Sequence, residues 1–398
     1  MASRNPLKDQ LAIVGVGVAA YSRENSGRSR GRMTLEASVN AIKDAGLKRD
    51  DIDGISASVV TAQYVQPGLG IPEVRWWSNT SLPYSNQLEA AIYAVYAGAC
   101  DVALVCHSEL VGPRHSKRAA ADPYRVREQL GVGDHRAILG TDHIDPLSLN
   151  MGSPGYAAWS GRYMHDFGAK KEQFGYIALN ARRNARENPN AVMQKPLTMA
   201  EYLAGRVIRD PLCIFDHDLP VDGADAVIVT TAERAADMVE HPVLIHAVGS
   251  GQYEHANEER TLDFDHTSQV VAGRELWAKS DLTVADVDVF CLYDGFTIIT
   301  LNWLENIGLC GRGEAGPFVE EAWDAGEGRL RIGEKGLLNP HGGNLTEGHT
   351  DGSGHIREAV FQLRGEADGR QVSGAKAALV TIGGLFTTKV ATFLLRGE

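Results

Sequence analysis

A chain of 398 residues with 43% apolar content is long enough for two or three ordinary domains, or one large fused unit with a sizeable core. Its formal charge of -12 comes from 51 acidic and 39 basic residues, and no run of Lys/Arg interleaved with aromatics forms a phosphate-tracking surface, which excludes nucleic acid as a partner. The polar start MASRNPLKDQ, and a sequence without about 18 unbroken apolar residues, exclude a membrane span and lead us to expect a cytoplasmic protein.

In chain order, the run LAIVGVGVAAYSR from Leu11 is β-branched and glycine-punctuated, which predicts a buried strand ending in a loop. Met33 to Leu47, MTLEASVNAIKDAGL, places Leu35, Val39, Ile42 and Ala45 at helical spacing, and Asp51-Ile52-Asp53 then leads into a strand, GISASVV. Helix QLEAAIYAVYAGA and strand DVALVCHS follow. From about Asp122 to Thr198 the chain is rich in Arg, Asp, His, Pro and Gly, yet it keeps helical pieces such as GYAAWSGRYMHDFG and KKEQFGYIALNARRNARE. Aromatics and helix formers throughout argue for a cap or substrate-gating segment rather than a linker.

Beyond it the opening succession returns. VLIHAVGSGQ from Val243 reads as a strand, SQVVAGRELWAKSDL as a helix, and Asp286-Val287-Asp288 leads into VFCLY. A leucine (Leu47, Leu282) stands four residues before the first Asp in both copies. Helix HIREAVFQLRG before strand KAALVTIGG matches the earlier QLEAAIYAVYAGA and DVALVCHS pair. Two similar α/β halves are the simplest account, with chance likeness between ordinary β-α units as the alternative. Gly311 to Gly336, glycine- and acid-rich, is expected to be a surface excursion. The five cysteines, Cys100, Cys106, Cys213, Cys291 and Cys310, are scattered through apolar segments; this suits reduced core residues, and no zinc pattern appears.

Three stretches resemble the thiolase superfamily, specifically its sterol-carrier-protein and lipid-transfer-protein branch. They are NPHGGNLTEGHTDGSGHIREAVFQLRG from Asn339, VDGADAVIVTT from Val221 and YDGFT from Tyr293, in the family's order and spacing. The resemblance covers essentially the whole chain. It implies an α/β duplicated thiolase fold, two βαβαβαββ halves in a five-layer αβαβα arrangement with an inserted cap/loop region. The halves are then 1–121 with about 199–240, and 241–398, with 122–198 inserted.

Both thiolase cysteines are missing. Counting back from Gly98 and Asp101 puts the nucleophile's place at or near Ser81, and the family's second cysteine loop reads Thr381-Ile382-Gly383-Gly384. Thiolysis and condensation need a thiolate beside a base, which neither Ser nor Thr supplies unaided. The resemblance therefore points to the lipid-transfer-protein-like aldolases of bacterial steroid side-chain degradation. These cut a 3-hydroxyacyl-CoA by retro-aldol reaction into a ketone and a shorter acyl-CoA, acting with a small OB-fold, zinc-ribbon-containing partner.

In that reading Tyr293 and His349 are catalytic, His349 standing where the family carries a second tyrosine after Glu-Gly. Gly342-Gly343 and Gly383-Gly384 offer backbone N–H groups to an oxyanion. His341 lines the pocket or stabilises a turn, Asp294 orients Tyr293 or solvates a strand end, and Ser81 shapes the vacated nucleophile site. Trp76, Trp77 and Tyr84 form either an aromatic wall for a bulky apolar substrate or a packing surface. No metal and no cofactor beyond the CoA of the substrate is expected, and a homodimer is. A non-catalytic acyl-CoA or lipid-binding scaffold, and a degenerate acyltransferase using Ser81, are the competing readings.

Overall fold

The computed structural model describes residues 5–24, 27–80, 83–110, 153–253, 263–334, 336–384 and 390–397. The chain forms two compact units. One comprises Gln10–Ser148 with Pro220–Pro242, the other Met1–Asp9, Leu149–Leu219 and Val243–Glu398.

In the first unit β1 (Leu11–Ser22), β2 (Gly54–Ala57), β3 (Trp76–Asn79), β4 (Val102–Leu110) and β5 (Asp222–Thr231) lie in the order β1-β5-β4-β2-β3. Strand β2 runs parallel to β3 and β4, and β5 runs antiparallel to β1 and β4. Helices α1 (Arg30–Asp44) and α2 (Tyr84–Tyr96) belong to the same unit. The helix expected from Met33 buries Ile42 and Ala45 of the apolar residues at helical spacing but not Val39. Met33, Ala37, Ala41 and Ile42 are buried, whereas Val39 is 38% exposed. Gly15 and Gly17 of β1 explain this: a Cβ on Gly17 would stand 2.2 Å from Ala37 O, and one on Gly15 2.4 Å from Ala41 O. Backbone approach that close selects the small-residue face and turns Val39 outward.

In the second unit α3 (Ser153–Phe167) and α4 (Lys171–Ala185) come from the stretch that interrupts the repeat, of which 122–152 lie outside the described residues. Then follow β6 (Val243–Gly251), α5 (Ser268–Ala278), β7 (Val289–Cys291), α6 (Thr297–Asn306), β8 (Arg329–Ile332), β9 (Gly336–Leu338), α7 (Ser353–Arg364), β10 (Ala377–Ile382) and β11 (Val390–Arg396). Their order is β8-β9-β7-β10-β11-β6, with β9, β7 and β10 mutually parallel. Helix α6, TIITLNWLEN, is buried almost all round, its polar Thr297, Thr300, Asn302 and Glu305 included. The stretch from Gly311 is more than a surface excursion: Ala315–Glu321 is helical, β8 extends the sheet, and Val319 and Leu330 are core residues.

The internal likeness reaches single hydrogen bonds. Asp53 accepts the N–H groups of Asp101 and Val102 while its own N–H donates to Val102 O. Asp288, its counterpart in the second copy, accepts those of Lys376 and Ala377 and donates to Ala377 O. Gly249 of β6 repeats the role of the β1 glycines, since a Cβ there would stand 2.3 Å from Ala272 O of α5. In each copy a carboxylate ties the strand entrance to the next parallel strand, and a glycine admits the crossover helix.

Candidate active site

Parallel strands β7, β9 and β10 send their following loops to the same end of the sheet, where ligands bind in open α/β sheets. Leu292-Tyr293-Asp294 leaves β7, Asn339-Pro340-His341-Gly342-Gly343 leaves β9, and Gly383-Gly384 leaves β10.

Tyr293 is buried, and its N–H donates to Thr381 Oγ1 at 2.9 Å, so the Thr381 hydroxyl fixes the tyrosine backbone. Burial pushes the phenol pKa well up, and the nearby carboxylates of Asp351, Asp218 and Asp294 and the Tyr156 phenol push it further, leaving Tyr293 a protonated donor. Its ring centroid lies 6.5 Å from that of His349 and 6.1 Å from that of His355.

His349 is clamped between two acids. Nδ1 stands 2.6 Å from Asp218 Oδ2 and Nε2 3.0 Å from Asp351 Oδ1, with 24% of the side chain exposed. Burial disfavours its charge, but the two carboxylates together outweigh burial and hold the imidazolium well above its ordinary range. Backbone bonds set the geometry: His349 N–H donates to Leu219 O, Asp218 N–H to Gly295 O, and Leu219 N–H to Asn344 O. The segment Phe215-Asp216-His217-Asp218-Leu219 is thus strung between the Tyr293 loop and the Gly-Gly loop. It is anchored by Asp216, which accepts from Tyr202 Oη and Thr297 Oγ1.

Asp294 is fully buried and faces the Gly-Gly loop. Its carboxylate accepts the N–H groups of Asn344 at 2.7 Å and Leu345 at 3.3 Å. His355 Nε2 lies 3.1 Å from Asp294 Oδ1 and 3.2 Å from Leu292 O; both are acceptors, so Nε2 carries the proton. Gly342 and Gly343 have φ of 99° and 64°, and a Cβ on Gly343 would fall 2.0 Å from Asp294 Oδ2. His341 is fully buried with its ring edge-on to His355 at 4.8 Å. Burial, reinforced by His355, Arg357 and Arg370, keeps it neutral.

Helix α4 and the residues after it grip the loop from outside. Asn180 and Asn184 Nδ2 both donate to Leu338 O, Asn184 also to Asn339 O, and Asn188 Nδ2 to His341 O and Glu347 Oε1. Glu347 is paired with Arg357. Asn339 joins the sheet through its side chain, accepting Leu292 N–H at 2.7 Å and donating to Leu292 O at 2.8 Å.

Of the sequence-predicted residues, the structure brings together Tyr293, His349, Asp294, His341, Gly343, Gly383 and Gly384 in the second unit. Ser81 lies outside the described residues. In the first unit Trp76 and Trp77 are consecutive on β3 and so face opposite sides of the sheet, with Trp77 53% exposed, while Tyr84 is buried beside His107 at 5.7 Å. The sequence reading missed Asp218, Asp351, His355 and Tyr156. An acid-His-acid triplet, Asp216-His217-Asp218, set beside apolar residues was the available signal for the first.

A family model described as thiolase C-terminal domain-like matches residues 250–396. A protein of Mycobacterium tuberculosis named 17-hydroxy-3-oxo-4-pregnene-20-carboxyl-CoA lyase is 34% identical over 391 residues, covering 95% of this chain and 97% of the relative. The steroid side-chain-cleaving aldolase of Thermomonospora curvata is 33% identical over 393 residues, covering 95% and 96%. A solved structure titled Ltp2-ChsH2(DUF35) aldolase matches with a TM-score of 0.82 at 29% identity over 98% of both chains. The chain has a thiolase-like fold and belongs to the family of steroid side-chain-cleaving aldolases.

Proposed function

We propose that the protein is a carbon-carbon lyase that cleaves a 3-hydroxyacyl-CoA, a steroid side-chain thioester with a tertiary β-hydroxyl, into a steroid ketone and propionyl-CoA. The observation that carries this reading is the packing of a protonated phenol, Tyr293, against an imidazolium held by two carboxylates. The Asp218–His349–Asp351 group bears one net negative charge. It accepts the β-hydroxyl proton as the Cα–Cβ electron pair moves into the thioester, and returns a proton to Cα of the enolate. Tyr293 and the loop amides hold the developing oxyanion. One proton leaves oxygen and one reaches carbon, so the reaction is redox-neutral and calls for no cofactor beyond the CoA of the substrate.

A cysteine acyl-enzyme has no support in the thiols present. Burial raises Cys100, Cys106, Cys213 and Cys310 to about 12 and Cys291 well above its ordinary value, so none is poised as a thiolate. The chain works with a small OB-fold, zinc-ribbon-containing subunit, a reading supported by the two-component title of the similar aldolase structure. It also forms a homodimer; β3 edges its sheet and leaves Trp77 exposed, a surface a second copy would cover.

The test is turnover by the co-expressed complex, with ketone and propionyl-CoA followed by mass spectrometry for wild type, Tyr293→Phe, His349→Ala and Ser81→Ala. The reading requires stoichiometric products that disappear in the first two variants and persist in the third. Thioester binding without any product would favour a scaffold, and an acyl adduct on Ser81 a degenerate acyltransferase.

A further inference from the structure

A second tyrosine reaches the loop after β10. Tyr156 of α3 is buried and stacks on Phe296, with ring centroids 4.1 Å apart and planes at 21°. Phe296 is the last residue of the Tyr-Asp-Gly-Phe motif, so one motif supplies a phenol and the platform for another. The Tyr156 Oη lies 2.1 Å from where a Cβ on Gly384 would stand, so the phenol sits directly over the Gly384 backbone and any side chain at 384 would expel it. Tyr293 borders the same place: a Cβ on Gly295 would stand 3.1 Å from Tyr293 Cε1 and 3.5 Å from Ile299 Cδ1, and the Gly384 position is likewise 3.5 Å from Ile299 Cδ1.

We propose that Tyr156 is a further catalytic residue, its phenol O–H donating, together with the Gly384 amide, to the thioester oxygen as the enolate forms. The assignment rests on the retro-aldol reading above. Tyr156 stays protonated throughout; it stabilises charge and transfers no proton. The ordinary Gly-Gly loop offers only backbone donors, and a phenol placed over it adds a directional donor in a site shielded from water, where such a bond is worth most. Phe296 fixes the ring, so the hydroxyl is set before substrate arrives. This gives the chain a second tyrosine at the site although position 349 is a histidine.

The experiment uses the complex with its small subunit and two readouts. In turnover, Tyr156→Phe, which keeps the stack on Phe296 and hence the fold, should lower kcat by roughly 10²-fold with KM little changed, the usual consequence of removing one oxyanion donor. In difference infrared spectra of bound [1-13C]propionyl-CoA, wild type should shift the carbonyl stretch to lower frequency, and Tyr156→Phe should lose part of that shift. Gly384→Ala, which displaces the phenol without removing it, should reproduce the loss. An unchanged carbonyl frequency in Tyr156→Phe overturns the assignment. Failure of wild type to cleave any 3-hydroxyacyl-CoA sinks the retro-aldol reading and with it the catalytic role, while the infrared arm still decides whether the Tyr156 phenol donates to the thioester oxygen.

Discussion

His349 Nδ1 lies 2.6 Å from Asp218 Oδ2, joining the loop after β9 to a segment far away in sequence. That pair, with Asp351 on the other ring nitrogen, fixes the sign of the pH dependence. In the proposed mechanism the imidazolium is the proton donor to Cα, and its pKa is raised, so kcat should hold through neutral pH and fall as pH climbs through the raised value. Asp218→Asn removes one counter-charge, moves that pKa back toward the ordinary range, and should carry the alkaline limb of the kcat profile to lower pH. Stability follows the same sign. A raised folded pKa contributes stability that is complete below the unfolded value of about 6.5 and is lost as pH rises through the folded value. The Tm deficit of Asp218→Asn should therefore be largest at mildly acidic pH and shrink at alkaline pH. A deficit that grows with pH would contradict the charge assigned to His349.

Thr381 makes a second prediction. Its hydroxyl accepts the Tyr293 N–H in a fully buried setting. Thr381→Val keeps the shape but leaves that N–H without its acceptor, a cost of about 1–3 kcal/mol. It should lower kcat more than it raises KM, because the phenol loses its fixed backbone. Thr381→Ser retains the acceptor and should recover most of both losses. Equal activity in the Val and Ser variants would show that the bond positions nothing.

The elements were legible in the sequence because their signals are local. Glycine-punctuated β-branched runs gave β1 and β6, and the Asp-Ile-Asp and Asp-Val-Asp steps marked the entrances to two parallel strands. Tyr293 and His349 stood out because they sit in loops with family spacing. The exposure of Val39 on α1 was not legible because it is decided by Gly15 and Gly17 on another element. Asp218, Asp351 and Tyr156 escaped for a related reason. Their roles exist only once Leu219 bonds His349, Asp218 bonds Gly295 and Phe296 supports Tyr156, contacts between residues distant in sequence.

Asn184 tests whether α4 holds the catalytic loop in place. Its Nδ2 donates to Leu338 O at 2.9 Å and Asn339 O at 3.1 Å. Asn184→Ala removes both bonds from a buried site and should cost about 1–3 kcal/mol. The expected signature is local: faster hydrogen exchange across residues 339–349 with little change in the amides of β10 and β11. Uniform acceleration over the whole unit would mean that Asn184 supports the fold and not the loop.

Gly343→Ala separates backbone strain from collision with Asp294. Both Gly343 and Gly365 have left-handed φ, 64° and 75°, and so share the cost of placing alanine there, about 1–2 kcal/mol. They differ in surroundings. A Cβ on Gly365, at the end of α7, meets nothing within 4 Å, whereas one on Gly343 would stand 2.0 Å from the Asp294 carboxylate. Gly365→Ala should therefore lower Tm by the conformational term alone and leave kcat near wild type. Gly343→Ala must push the Asp294 carboxylate away, and with it the bonds to Asn344, Leu345 and His355 that hold the loop carrying His349. It should lose markedly more stability and essentially all turnover. Similar Tm losses with activity retained in both would show that Asp294 can move without consequence, and its bonds to the loop would not be what positions His349.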